Sequence, residues 1–281
     1  MKVNANAKIN LTLDVCGKRD DGYHNVAMIM QEVSFCDVLD IELRTDGRII
    51  LSCDSKLLGN PESTLTYRAA KLFFDSCDTG GGCNITLHQN IPMCAGLGAG
   101  SADAAAVLNY LNCAYDNLYS QSKLCELGLM LGADVPFCIM GGTSLAEGIG
   151  EILTPLKSKM QKWVALIKPD INISTPDAYR EMDSVTYPHP DIESAINAIE
   201  NNDMALFSKS ASNSFEYVIS KKHSEISEIK KHLYDCGCEF AMMSGSGPTV
   251  FGLFENKESA ENSLKTYKKS FSGGVGSFIL K

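Results

Sequence analysis

A chain of 281 residues accommodates one large domain or two modest ones, and an apolar fraction of 44% is enough for a real core. A formal net charge of −9 argues against nucleic acid as a main partner, because phosphate backbones demand basic patches. No apolar run reaches the roughly 18 residues of a membrane-spanning helix, and the opening MKVNANAKINLTLDV lacks the apolar core of a signal peptide. A cytoplasmic protein with neither membrane nor nucleic-acid partners is expected. The 11 cysteines are odd in number and scattered, with Cys236 and Cys238 the only close pair. They read as buried or tolerated thiols in a reducing compartment, with no metal site built on them.

The first element alternates. Val3, Ala5, Ala7, Ile9, Leu11, Leu13 and Val15 fall on one face, and Asn4, Asn6, Lys8, Asn10, Thr12 and Asp14 on the other. Period two predicts a strand half buried and half presented. The presented face is rich in hydrogen-bonding groups, Lys8 and Asn10 among them; a solvated edge strand guarded by lysine has the same pattern. Gly17 to His24 (GKRDDGYH) is a polar loop closed by two rings, Tyr23 and His24. Short strands are expected over Val26 to Val33, Asp37 to Arg44 and Arg48 to Cys53. A helix follows over Ser63 to Cys77, with Leu65, Ala69, Leu72 and Phe73 on one side, and then a strand over Cys83 to Ile91.

The next stretch, PMCAGLGAGSADAAA (Pro92 to Ala106), reads as a glycine loop opening a helix. Gly96, Gly98 and Gly100 free the backbone for positive φ and close approach to a ligand. Ser101 is placed to cap a helix that starts at Ala102 and runs to about Tyr115. The first amides of such a helix lack intrahelical partners, and the helix dipole makes that end attractive to phosphate. No GK[ST] follows, so this is not a Walker A loop, and no second βαβ unit supports a dinucleotide fingerprint. A plain glycine turn before a buried alanine-rich helix fits the same letters.

A second helix is expected over Ser120 to Leu131, then GADVPFCIMGG (Gly132 to Gly142), in which Asp134 stands before Pro136 as a turn residue or a functional carboxylate. Strands over Thr143 to Ala146 and Glu151 to Leu153 precede a boundary near Thr154-Pro155. Beyond it come a strand over Trp163 to Pro169 and a helix ending at Met182. Helices are expected over Ile192 to Asn201, Asp203 to Ser208 and Glu225 to Cys236. Strands over Glu239 to Met242 and Val250 to Phe254 flank a second glycine cluster, MMSGSGPTVFG (Met242 to Gly252). A helix over Glu258 to Lys269 and a strand over Val275 to Leu280 close the series. This order suggests an α+β layer.

AKINLTLDVCGKRDDGYH (Ala7 to His24), the glycine loop and MMSGSGPTVFG, in that order, resemble the GHMP kinase superfamily. The first block is similar to the signature of the 4-diphosphocytidyl-2-C-methyl-D-erythritol kinase family, and LGADVPFCI and AEGIGEILTPL resemble the same family. The resemblance implies a two-domain α+β GHMP kinase fold with its active site in the interdomain cleft. Residues 1–153 would form the ATP-binding domain and 154–281 a ferredoxin-like substrate-side domain. It implies phosphoryl transfer from ATP, carried as the Mg²⁺ complex, to the 2-hydroxyl of 4-diphosphocytidyl-2-C-methyl-D-erythritol, in the non-mevalonate route to isoprenoid precursors. A monomer or weak homodimer is expected.

By the same resemblance Lys8 and Asp134 form the catalytic pair, Asp134 accepting the hydroxyl proton. Pro92, Met93, Cys94, Ala95, Gly96, Leu97, Gly98, Ala99, Gly100, Ser101 and Ala102 hold ATP. Adenine lies near Leu65 and Leu97, and Mg²⁺ near Ser101. Tyr23 stacks on the pyrimidine, Tyr179 offers the opposite face and His24 bonds the cytosine edge. Asn10, Thr175 and Gly245 line the substrate's polar part. Tyr179 as an ordinary helix aromatic, and the second glycine cluster as a mere tight turn, remain open readings. Two positions depart from the family pattern: Ala102 stands where a second hydroxyl is usual, and Thr64 where an Asn precedes Leu65. The chemistry suits such a set, because phosphoryl transfer has a loose transition state in which the protein positions groups and neutralises charge. Two other functions fit the chain less well. A homoserine- or mevalonate-type kinase has no use for the aromatic loop, and a non-catalytic ligand-binding relative has no use for both Lys8 and Asp134.

Overall fold

The computed structural model describes residues 1–54, 60–77 and 79–281. Two long strands come first, β1 (Lys2–Lys18) and β2 (His24–Arg44), and they pair with each other. β2 joins what the sequence suggests are two strands. No glycine or proline interrupts the chain between Val33 and Asp37, so nothing forces a turn there. The chain forms two compact units, neither cut from it at a single point. Unit one is Met1–Ala7, Cys36–Met93 and Gly98–Met140; unit two is Lys8–Phe35, Cys94–Leu97 and Gly141–Lys281.

In unit one, β3 (Ile49–Cys53) runs parallel to β4 (Gly82–His88), which pairs antiparallel with Val38–Arg44 of β2. Among the described residues four α-helices belong to this unit: α1 (Leu65–Ser76), α2 (Ala99–Ala114), α3 (Gln121–Leu129) and α4 (Val135–Met140). Leu39, Ile41, Ile85 and Leu87 from the strands meet Phe73 of α1 and Ala105, Leu108 and Leu111 of α2 in one core. The alanines let α2 pack closely. Thr64 caps α1, its hydroxyl accepting from the Tyr67 amide at 3.1 Å.

Unit one also holds a buried carboxyl pair. Asp37 on β2 accepts from the amides of Asn90 and Ile91, at 2.5 and 2.6 Å, the two residues that lead into the loop. Asp103 on α2 is its neighbour. Burial, then the charge of Asp37, pushes the Asp103 carboxyl well above the usual carboxylate range, and burial raises Asp37 too. Asp103 therefore holds a proton for Asp37. Through this pair the lead-in, β2 and the first turns of α2 are tied together.

In unit two, Met28–Gln31 of β2 pair antiparallel with β5 (Thr143–Glu147), which forms a hairpin with β6 (Ile152–Pro155). A second sheet has the order β10-β7-β9-β8, all antiparallel, from β7 (Trp163–Pro169), β8 (Phe240–Met243), β9 (Val250–Phe254) and β10 (Phe271–Ser277). Six helices accompany these strands: α5 (Thr175–Met182), α6 (Ile192–Asn201), α7 (Met204–Ser210), α8 (Ser214–Lys222), α9 (Ser224–Asp235) and α10 (Lys257–Thr266). Strand, helices, two strands, helix and strand with this sheet order is the ferredoxin-like pattern. The last strand begins at Phe271, earlier than its apolar residues suggest. α8 is absent from the sequence reading, because Phe215, Tyr217, Val218 and Ile219 are poor helix formers.

β1 departs most from expectation. The middle of its polar face is not presented to water: Asn4 is exposed, but Lys8, Asn10 and Thr12 are buried. Within unit two, Thr12 Oγ1 and the Leu13 amide both donate to Ser212 O at 2.9 Å, and the Tyr187 hydroxyl donates to Val15 O. The eleven cysteines are free thiols. Burial pushes Cys238 up to about 12, which keeps it inert. No helix among the described residues is long and apolar enough to cross a membrane.

Candidate active site

The site begins with the backbone of β1. The Lys8 amide donates to Leu97 O at 3.0 Å, which pins the glycine loop to the strand. Two residues on, the same strand face presents Asn10. Lys8 Nζ donates to Asn10 Oδ1 at 2.9 Å, and Asn10 Nδ2 donates to Met28 Sδ at 3.0 Å. The Asn10 amide donates to Ser244 Oγ at 3.3 Å, and that hydroxyl donates in turn to Gly96 O at 2.8 Å. Asn10 thus holds the Lys8 ammonium with its side chain and the Ser244 hydroxyl with its backbone amide, while the Lys8 backbone amide and the Ser244 hydroxyl hold the loop.

The second glycine cluster is the turn between β8 and β9, and it packs directly on the first. A Cβ on Gly96, whose φ is +73°, would stand 2.1 Å from Ser244 O. A Cβ on Gly245, φ +59°, would lie 3.4 Å from both Asn10 Oδ1 and Gly96 Cα. The two glycines let two backbones and a strand side chain meet where other residues would hold them apart. Asn213, at the cap of α8, donates to Met243 O and Gly245 O at 2.7 and 2.8 Å, fixing the turn from beneath. Thr175, the first residue of α5, shares a hydrogen bond with Ser246 Oγ at 2.7 Å. The structure therefore brings together Lys8, Asn10, Gly96, Thr175 and Gly245. It adds Ser244, Ser246 and Asn213, which sequence reading did not single out as site residues. For the two serines the signal was the SGSG segment itself, which the resemblance places by the substrate and which reads equally as a tight turn.

In unit one the helix α2 begins at Ala99, not Ala102. Its cap is Gly98 at φ +71°, which makes no side-chain capping bond. Ser101 is thus the third helical residue rather than the cap, and Gly100 is helical rather than left-handed. The Ala102 amide already donates to Gly98 O at 2.8 Å. The amides available to phosphate at this end are those of Ala99, Gly100 and Ser101, which have no backbone acceptor among the described residues. Ala102 offers none. Leu65 lies against Gly100 and is half-buried, whereas Leu97 is buried, leaving Leu65 as the leucine with surface for an adenine ring. Met93 and Cys94 are exposed in the lead-in, Pro92 is half-buried and Ala95 is buried. Asp134 immediately precedes α4, its carbonyl accepting from the Cys138 amide at 3.1 Å. It belongs to unit one, and Lys8 to unit two.

Residues 64–142 match the family model for the GHMP kinases N terminal domain, and residues 195–272 that for the GHMP kinases C terminal domain. A relative from Clostridium perfringens, a 4-diphosphocytidyl-2-C-methyl-D-erythritol kinase, is 43% identical over 96% of this chain and 94% of its own length. The chain belongs to the 4-diphosphocytidyl-2-C-methyl-D-erythritol kinase family. A crystal structure of a 4-(cytidine 5'-diphospho)-2C-methyl-D-erythritol kinase superposes with a TM-score of 0.82 at 32% identity, covering 98% of this chain and 99% of that one. A homoserine kinase from Cytophaga hutchinsonii shares the fold at a TM-score of 0.76 and 18% identity, over all of this chain and 94% of that one.

The aromatic loop of this kinase family's first block has its own geometry in unit two. Tyr23 is 62% exposed, a ring with a free face, while the adjacent His24 is buried. His24 stacks on Tyr179 of α5 with centroids 4.6 Å apart and planes at 19°, and Tyr179 meets Phe215 edge to face at 4.8 Å. His24 Nε2 is 2.6 Å from Asp183 Oδ1, and Lys18 Nζ is 2.6 Å from Asp183 Oδ2. One face of Tyr179 is thus taken by His24, where the resemblance has it facing the pyrimidine. Asp183, one helical turn beyond Tyr179, was not singled out from sequence, although its spacing puts both on one face.

Proposed function

We propose that this chain, a GHMP kinase that uses ATP, transfers the terminal phosphoryl group to the 2-hydroxyl of 4-diphosphocytidyl-2-C-methyl-D-erythritol, in the non-mevalonate route to isoprenoid precursors. The observation that carries the reading is the double role of Lys8. Its amide fixes the glycine loop at Leu97, and its buried ammonium is held by Asn10 beside the Ser244–Gly96 contact. A cation in a water-poor site is worth far more to a developing phosphoryl charge than one in solvent.

In this account the amides of Ala99, Gly100 and Ser101, with the α2 dipole, receive the ATP phosphates. Lys8 offsets the charge on the transferred group. Asp134 orients the acceptor hydroxyl and takes its proton late in the transfer, as a loose transition state allows. The Ser101 hydroxyl would be the side chain available to a Mg²⁺ ion carried on ATP, and that ion would supply charge neutralisation at the phosphates. Leu65 supports the adenine. Asn10, Thr175 and Gly245 meet the polar part of the acceptor. The pyrimidine stacks on Tyr23 and is read at its edge by His24, with Tyr179 as the wall that holds the imidazole plane. The nucleotide groups of this account all lie within residues 1–153, whereas the substrate groups come from both Asn10, Tyr23 and His24 and, within 154–281, Thr175, Tyr179 and Gly245; the family matches at 64–142 and 195–272 fall one in each part. The protein works in the cytoplasm as a monomer or weak homodimer.

The test is turnover with ATP and the cytidyl alcohol beside homoserine and mevalonate. Phosphorylation of the cytidyl alcohol alone is expected. Turnover of another alcohol in its place would refute the substrate, and binding without turnover would refute the chemistry. Tyr23→Ala should raise the cytidyl substrate's KM by the loss of one stacking contact, about 1–3 kcal/mol or roughly five- to hundredfold. The KM for ATP should stay near its original value; an effect confined to ATP would refute the assignment.

A further inference from the structure

The His24–Asp183–Lys18 cluster defines more than a contact. A carboxylate only accepts, so the 2.6 Å bond between His24 Nε2 and Asp183 Oδ1 requires a proton on Nε2. Asp183 is kept ionised: its carboxyl sits below the usual range because His24, and after it Lys18, hydrogen-bond to it. Lys18 engages the other carboxylate oxygen, so the two oxygens have separate partners. The Tyr179 ring, stacked at 19°, stops the imidazole from rotating out of its plane. Nε2 is therefore committed and the plane is set. Nδ1 makes no hydrogen bond among the described residues, and in the neutral ring it carries a lone pair.

We propose that Asp183 is a positioning residue that fixes His24 as the Nε2–H tautomer, so that Nδ1 accepts from the exocyclic amine of cytosine and discriminates against uracil. Cytosine presents an amine where uracil presents a carbonyl oxygen. A lone pair facing that oxygen would oppose two acceptors and leave both unpaired, a situation that rejects an analogue more strongly than a lost apolar contact does. The same logic governs metal-bound histidines, where an outer carboxylate selects the ring nitrogen that carries the proton. This inference rests on the cytidine reading of Tyr23 and His24.

Three measurements test it. Nitrogen-15 NMR of the imidazole in the intact protein should show Nε2 protonated and Nδ1 unprotonated, and Asp183→Asn should populate the other tautomer, because an Asn side chain both donates and accepts. In turnover, Asp183→Asn should raise the KM for the cytidyl alcohol on the order of tenfold, leaving kcat and the KM for ATP near their original values. It should also lower the preference for the cytidyl over the uridyl form of the acceptor by a similar factor. Asp183→Glu, which keeps the carboxylate, should recover part of that preference. An Nδ1–H tautomer in the unsubstituted protein would overturn the proposal. So would an Asp183→Asn variant with unchanged cytidyl preference when Tyr23→Ala still raises the cytidyl KM. If Tyr23→Ala and His24→Ala both leave that KM unchanged, the cytidine reading itself fails and the inference falls with it.

Discussion

Three alternating glycines have three different reasons to be glycine. Gly98 ends the loop as the left-handed cap of α2, and Gly96 lets the Ser244 carbonyl approach. Gly100 is an ordinary helical residue whose added Cβ would meet Leu65 at a tolerable 3.4 Å. Gly96→Ala faces both a positive φ, about 1–2 kcal/mol, and a backbone oxygen that cannot rotate away, about 1–3 kcal/mol of overpacking. A thermal melt should show Gly96→Ala several degrees below the parent, with turnover largely lost, and Gly100→Ala close to it. Equal melting points for the two variants would mean that the Ser244 contact does not constrain the loop. The glycine spacing alone announced a phosphate loop. It could not separate these three roles, because they depend on a turn nearly 150 residues away.

At the scale of elements, local pattern was read well and its cover was not. Alternation in Val3 to Val15 marked β1 correctly. The covering of its polar face was invisible, since Thr12 finds its partner at Ser212, 200 residues on. The α6 and β7 bounds match their periodicity, while α8 escaped because its aromatic and β-branched residues mask a helix capped by Asn213. That Lys8, Asn10, Gly96, Thr175 and Gly245 belong together was legible through family resemblance. Ser244, Asn213 and Asp183 were not, because each acts by holding another residue. The buried pair of Asp37 and Asp103 belongs to this scale too. Both carboxyls are raised, so between the usual carboxylate range and their folded values the folded chain binds more protons than the unfolded one. Stability from this pair is full at low pH and is lost as pH rises through the folded values. Asp103→Asn still donates to Asp37 but cannot titrate. Its melting temperature relative to the parent should climb as pH rises above the usual carboxylate range; a constant difference would show that Asp103 does not carry the proton.

The whole molecule poses an electrostatic problem. A chain of net charge −9 must bind ATP and a diphosphate-bearing acceptor. Long-range attraction cannot do this, so short-range positive groups must, where little water screens them. The buried Lys8 and the amides at the start of α2 are such groups. On the proposed reading these are the groups that meet the phosphates, and Asp134 is the proposed orienter and proton acceptor. The most direct test is turnover of ATP with the cytidyl alcohol by the parent and by Asp134→Asn, with the fold of each verified by its melting transition. The parent should turn over, and the variant should lose about 10²- to 10⁴-fold in kcat, the range of a positioned proton acceptor. Near-normal turnover by a folded Asp134→Asn protein would contradict the account.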